Sequence, residues 1–85
     1  MYAINWRPKA RKQVGKIMDR NARHLIEEAV SGLQDWPACN NVTPLVNHPY
    51  GYRLRVGRFR ILFDVETTIR IIEIQEVKKR DEHTY

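Results

Sequence analysis

Alternation of apolar and basic residues on both sides of Gly57 constrains this chain more than any other feature. Tyr52-Arg53-Leu54-Arg55-Val56 precedes the glycine, and Phe59-Arg60-Ile61-Leu62-Phe63 follows Arg58. Apolar–polar alternation is the mark of a strand with one face buried. A glycine that supplies positive φ makes Gly57-Arg58 a two-residue hairpin turn. The turn then dictates the register. Val56 pairs with Phe59, Arg55 with Arg60, Leu54 with Ile61, Arg53 with Leu62 and Tyr52 with Phe63. Cross-strand partners share a face. Tyr52, Leu54, Val56, Phe59, Ile61 and Phe63 therefore form a core face, and Arg53, Arg55 and Arg60 crowd onto the other.

Like charges directly opposed on a sheet are unfavourable. A sequence built for stability alone would alternate sign here. The cluster points to an anion that supplies the missing negative charge, and arginine is the side chain suited to bidentate phosphate contacts. The competing reading is a solvated face whose arginines pair with acids on the next strand. Glu73 would oppose Arg60 if the following turn sits near Glu66-Thr67. The formal net charge of +5 and pI near 9.7 favour a polyanionic partner: a nucleic acid, an acidic protein or an anionic surface.

The remainder of the chain reads as α+β. Tyr2 to Trp6 forms a first strand. Pro8 suits the first turn of a helix, where its missing N–H is not needed. That helix runs to about Met18, with Ala10, Val14 and Ile17 on one stripe. Asn21 is the expected N-cap of a second helix that continues to about Gln34 and buries Leu25, Ile26, Ala29, Val30 and Leu33. Two consecutive helices with a short connection make an antiparallel hairpin. Val42 to Val46 reads as a short strand that Pro44 confines to an edge. Thr68 to about Val77 reads as a further strand, isoleucine-rich on both faces and hence well covered. The expected architecture is an N-terminal strand, a two-helix hairpin, then an antiparallel sheet of three to four strands with the helices on one face.

A chain of 85 residues accommodates one domain, residues 1–85, with one modest core. No apolar run approaches the roughly 20 residues that span a bilayer, so no membrane partner is expected. The N-terminus lacks the order of a signal peptide, so a cytoplasmic location is expected. Cys39 is the single cysteine, so no intramolecular disulfide can form. Its surroundings offer no nearby cation to lower the thiol pKa, so it is a poor nucleophile. No clustered His/Asp/Glu set is present, and neither a metal nor another cofactor is expected.

Lys78, Lys79 and Arg80 follow the last strand, and His83 and Tyr85 close the chain. His83 can exchange a proton near neutral pH. Tyr85 can stack on a base or take part in proton transfer. The alternative is an inert terminus, where chain ends are commonly loose.

Several segments together resemble the RelE/ParE toxin superfamily of bacterial toxin–antitoxin pairs. Tyr2-Ala3-Ile4-Asn5-Trp6 followed by Pro8-Lys9-Ala10 resembles its opening strand and first helix. Tyr52 to Ile61 resembles its central hairpin, and Glu76 to Tyr85 its basic ending that closes on tyrosine. The resemblance spans essentially the whole chain and implies a microbial-ribonuclease-like fold. It implies a type II toxin, held by a cognate antitoxin, that cuts mRNA on the ribosome as RelE-type members do. The ParE-type alternative inhibits DNA gyrase without nuclease activity. Mapped by motif, Arg60, Arg80, His83 and Tyr85 are the candidate catalytic residues. Arg53, Arg55, Arg58, Lys78 and Lys79 are the candidate RNA-phosphate contacts, and Lys79 competes with Arg80 for its role. The glutamate base that some relatives carry near the hairpin has no clear counterpart, and His48 is a nearby substitute. The implied chemistry is metal-independent: the RNA 2′-hydroxyl attacks, arginines stabilise the phosphorane, and His83 or Tyr85 moves protons.

Overall fold

The structure, a computed structural model, describes residues 1–80. In chain order it comprises β1 (Ala3–Trp6), α1 (Pro8–Gly15), α2 (Arg20–Ser31) extended by a 3₁₀ turn (Gly32–Asp35), β2 (Val42–Pro44), β3 (Tyr52–Val56), β4 (Phe59–Glu66) and β5 (Ile71–Lys79). The five strands form one sheet in the order β1-β5-β4-β3-β2.

The hairpin register follows from its sequence. Tyr52 pairs with Phe63, Arg53 with Leu62, Leu54 with Ile61, Arg55 with Arg60 and Val56 with Phe59. Gly57 has φ +55°, the conformation that a tight β-turn demands of its first central residue and that glycine adopts without a Cβ clash.

The sheet itself is mixed rather than antiparallel throughout. β1 runs parallel to β5, with Ala3 beside Ile71 and Trp6 beside Ile74. A parallel pair requires a long crossover, and here everything from α1 to β4 lies between the two strands. Hydrophobic periodicity reports which face of a strand is buried, not which distant strand it joins.

The helical boundaries also differ from expectation. α1 stops at Gly15, with Lys16 as its C-cap, rather than running to Met18. Asp19, not Asn21, is the N-cap of α2: its Oδ1 accepts the N–H groups of Asn21 and Ala22 at 2.9 and 3.3 Å. The strand expected from Val42 to Val46 ends at Pro44, which has no N–H to continue the ladder. The last strand begins three residues later than expected and reaches Lys79.

The helices cover one face of the sheet. Ala10 and Val14 of α1 and Ile26 and Val30 of α2 meet Leu54, Ile61, Phe63, Ile72, Ile74 and Val77 in one buried cluster. Trp36 closes one end of the core, its ring edge-on to Tyr52 at 4.8 Å and to Phe63 at 5.7 Å. Tyr52 and Phe63 stack as a cross-strand pair at 5.5 Å.

One irregularity interrupts the β4–β5 ladder. Leu62 pairs with Glu76 and Phe63 with Ile74, so Gln75 is an extra residue on β5. Its side-chain amide donates to Asp64 Oδ2 at 3.1 Å.

Phe63 is wholly buried at the centre of this packing. Phe63→Ala should cost about 3–5 kcal/mol of stability, read as a lower urea midpoint with an unchanged denaturant slope.

Candidate functional site

The face of the sheet away from the helices is set by the hairpin register. Arg55, Arg60 and Lys78 stand side by side on β3, β4 and β5. Arg53, Leu62 and Glu76 form the next row. Glu73 does not oppose Arg60: it pairs with Asp64, further along β4. The solvated-face alternative therefore loses its acidic partner. Among the described residues, Arg53, Arg55 and Arg60 have no carboxylate within ion-pair distance.

These arginines converge. Arg53, Arg55, Arg58, Arg60 and Arg80 line one cleft of about 210 Å³ at the tip of the hairpin, with Gly57 and Phe59. Arg80 is brought there by a backbone bond, its N–H donating to the Arg58 carbonyl at 2.7 Å. The last described residue thus sits beside the turn that opens the site. Lys79 faces the helix side instead and lines a different groove, with Lys16 and Arg58. Position in the fold therefore separates Arg80 from Lys79, which spacing in the sequence could not do. His83 and Tyr85 lie outside the described residues.

Glu76 was not singled out in the sequence, although it shares this face. It is the one buried charged side chain among the described residues. Lys9 of α1 meets its Oε1 at 3.1 Å. Burial pushes its carboxyl upward, but the hydrogen bond from Lys9, the charges of Lys78 and Lys9, and a hydrogen bond from Tyr50 outweigh this and hold it below its ordinary value. Glu76 is thus a fixed anion that anchors a lysine, not a base poised near neutral pH. The alternating pattern of β5 could have flagged it, but only with Gln75 recognised as an extra residue.

The 45–51 loop crosses the same face. Gly51 N–H donates to Asp64 Oδ1 at 2.7 Å, and Leu45 N–H donates to the Gly51 carbonyl at 2.9 Å. His48 is exposed in this loop, and its Nδ1 accepts the Tyr50 N–H at 3.1 Å. That bond occupies the lone pair a base at Nδ1 would need. Cys39 is half-buried, and burial together with the charge of Asp35 raises its thiol pKa, the opposite of activation.

A second, largely apolar groove of about 800 Å³ lies on the helix side, floored by Ile17, Ala22, Leu25, Val56, Phe59 and Val77 and rimmed by Lys16, Arg58 and Lys79. Met18 and Leu25 are exposed at its margin. Among the described residues, no helix is long and apolar enough to cross a membrane.

No protein-family model and no curated protein sequence matches the chain. Solved structures do. The isolated RelE toxin of E. coli superposes with a TM-score of 0.81 at 15% identity, over 99% of this chain and 89% of that one. A RelBE toxin–antitoxin complex from Mycobacterium tuberculosis matches with a TM-score of 0.79 at 20% identity, over 93% and 98% of the two chains. The archaeal RelE–RelB complex of Pyrococcus horikoshii gives a TM-score of 0.79 at 20% identity, over 95% and 97%. The chain has the RelE fold.

Two predictions follow from the electrostatics. Replacing Arg60 with threonine relieves the Arg55–Arg60–Lys78 row and should raise stability by about 0.2–1 kcal/mol. The gain in thermal midpoint should shrink in high salt. A carboxylate held below its ordinary value stabilises the fold above the unfolded-state pKa, and that contribution disappears as pH falls through the lower native value. Glu76→Gln should therefore be less stable than the wild type at pH 7. Urea midpoints of the two proteins should converge on acidification below about pH 4.3.

Proposed function

We propose that this chain is the toxin of a type II toxin–antitoxin pair, acting in the cytoplasm as an endoribonuclease on ribosome-bound mRNA. The convergence of five arginines on one cleft, on a fold shared with RelE toxins, carries this reading. Guanidinium groups gathered in one cleft suit an anion that carries charge on several oxygens, as a phosphodiester does.

RNA brings its own nucleophile, the 2′-hydroxyl. The protein must then orient the backbone, stabilise the phosphorane and handle two protons. Arg60, at the centre of the row between Arg55 and Lys78, is the residue assigned to charge stabilisation. Arg53, Arg55, Arg58 and Lys78 hold the flanking phosphates. Arg80 completes the cleft from the end of β5. His83, with Tyr85 as second choice, carries the acid–base step. Tyr85 also offers a ring on which the base beside the cut can stack. Lys79 contacts the RNA from outside the cleft.

The antitoxin would occupy the apolar groove. A basic rim around an apolar floor suits an amphipathic helix with acidic flanks. RelE–RelB complexes among the structures with this fold support such a partner. Those structures are RelE toxins, which favours RNA cleavage over the gyrase-directed alternative.

Purified protein incubated with ribosome-bound mRNA, with cleavage sites mapped by primer extension, tests the assignment. The wild type should cut. Arg60→Ala should lower the cleavage rate by about 100-fold or more, and His83→Ala should lower it too. Full activity in both variants would remove the mechanism. Inhibition of gyrase supercoiling with the RNA left intact would shift the assignment to the ParE-type reading.

A further inference from the structure

Leu62 is only 4% exposed, yet it shares the sheet face of Arg53, away from the helices, and stands outside the helix-side core cluster. Something on the open face covers it. The 45–51 loop lies there, tied to Asp64 through the Gly51 N–H and closed on itself by the bond from Leu45 N–H to the Gly51 carbonyl. The Tyr50 hydroxyl donates to Glu76, and Glu76 pairs with Leu62 across the β4–β5 ladder. A phenol that starts beside β3 and ends at β5 crosses the strand between them, and Leu62 is the β4 residue of that row. Tyr50 is therefore the cover, and its ring is braced at the hydroxyl end by a buried carboxylate.

The braced tyrosine in turn fixes His48. The Tyr50 N–H donates to His48 Nδ1 at 3.1 Å, and the two ring centroids lie 5.8 Å apart with the planes tilted by 52°. His48 itself is exposed. The loop thus holds an oriented aromatic ring in solvent at the start of β3. Arg53 belongs to the row that Tyr50 crosses, and the Arg55–Arg60–Lys78 row is two residues further along the strands, roughly 7 Å away. Arg80 sits at the turn beyond the other end of β3.

We propose that His48, braced by Tyr50, is the stacking platform for one unpaired nucleobase of an RNA strand whose phosphates lie on Arg53 and Arg60. The proposal rests on the RNA-directed reading above and adds a base contact to a site so far built from phosphate contacts. Cations grip a backbone of any form, and single-strand binders add rings on which bases stack. Among the described residues that line the arginine cleft, the only ring is Phe59, which pairs with Val56 on the helix-side face. A base splayed off the backbone needs a ring beside the phosphate track rather than within it, and histidine is one of the side chains that serve. Stacking uses the face of the imidazole and leaves Nδ1 with the Tyr50 N–H, so platform and brace are compatible. The contact is separate from the stacking role assigned to Tyr85.

The test uses the full chain and its His48→Ala and His48→Phe variants. The probe is single-stranded oligoadenylate carrying 2′-O-methyl groups, which remove the nucleophile, and its control is the same backbone without bases. Binding is followed by fluorescence anisotropy over a range of salt concentrations. The wild type should prefer the base-bearing strand. His48→Ala should weaken binding of that strand by about fivefold or more, the equivalent of one stacked base, and leave the abasic strand within about twofold. His48→Phe keeps a ring and discards the nitrogens, so it should stay within about twofold of the wild type on both strands. The salt slope should be the same in these three proteins, because no phosphate contact is lost, whereas Arg60→Ala should flatten it for both strands. Unchanged thermal midpoints would show that the variants are folded. Equal losses on the two strands in His48→Ala, or a phenylalanine variant as weak as the alanine one, overturn the proposal. A shallower salt slope in His48→Ala does so too, by making His48 a phosphate contact. So does a wild type that holds the two strands equally. Base-dependent binding through His48 by a protein that leaves ribosome-bound mRNA uncut would sink the nuclease assignment and leave the platform standing.

Discussion

In-register pairing of β3 with β4 across the turn at Gly57 is the interaction on which the rest depends. It places Leu54, Ile61 and Phe63 under the helices and Arg53, Arg55 and Arg60 on the opposite face. Core and charge are therefore set by one ladder. A slip of a single residue would drive guanidinium groups into the core and expose the aromatic pair. The Tyr52–Phe63 stack resists such a slip because its energy exists in only one register. The same apolar contacts that stabilise the domain hold the cationic cluster together.

That arrangement has an electrostatic cost that the fold contains rather than removes. Arg55, Arg60 and Lys78 stand adjacent on three strands, and the acids lie elsewhere. Glu76 holds Lys9 at the edge, Glu73 takes a hydrogen bond from Asn5, and Asp64 is occupied by Gly51 and Gln75. Each of these three carboxylates is committed to holding an element in place. Among the described residues, none forms an ion pair with Arg53, Arg55 or Arg60.

Much of this was legible in the sequence, and the parts that were not share a cause. Alternation and one glycine were sufficient to derive the hairpin pairing residue by residue, because the information is local. The helix stripes were legible for the same reason. The parallel pairing of β1 with β5 was not, since partners nearly seventy positions apart leave no trace in periodicity. Helix ends were misplaced where two polar residues competed for one cap: Asp19 prevailed over Asn21, its carboxylate reaching two free N–H groups. Within the site, the arginines of the hairpin were evident. The Lys9–Glu76 contact was not, because it joins two elements that only the tertiary fold brings together.

Gln75 has a larger effect than its plain side chain suggests. Counting in twos from the buried Ile72 and Ile74 would send Glu76 and Lys78 into the hydrophobic layer and leave Val77 in solvent. The single unpaired residue inverts the parity of the strand, so that one half obeys the even positions and the other half the odd. β5 can thus begin as a strand dictated by β1 and finish as one dictated by the hairpin. The spacing between those two halves is consequently a fixed length: losing or gaining one residue there would exchange the inside and outside of everything downstream, including the segment that carries Arg80 to the turn.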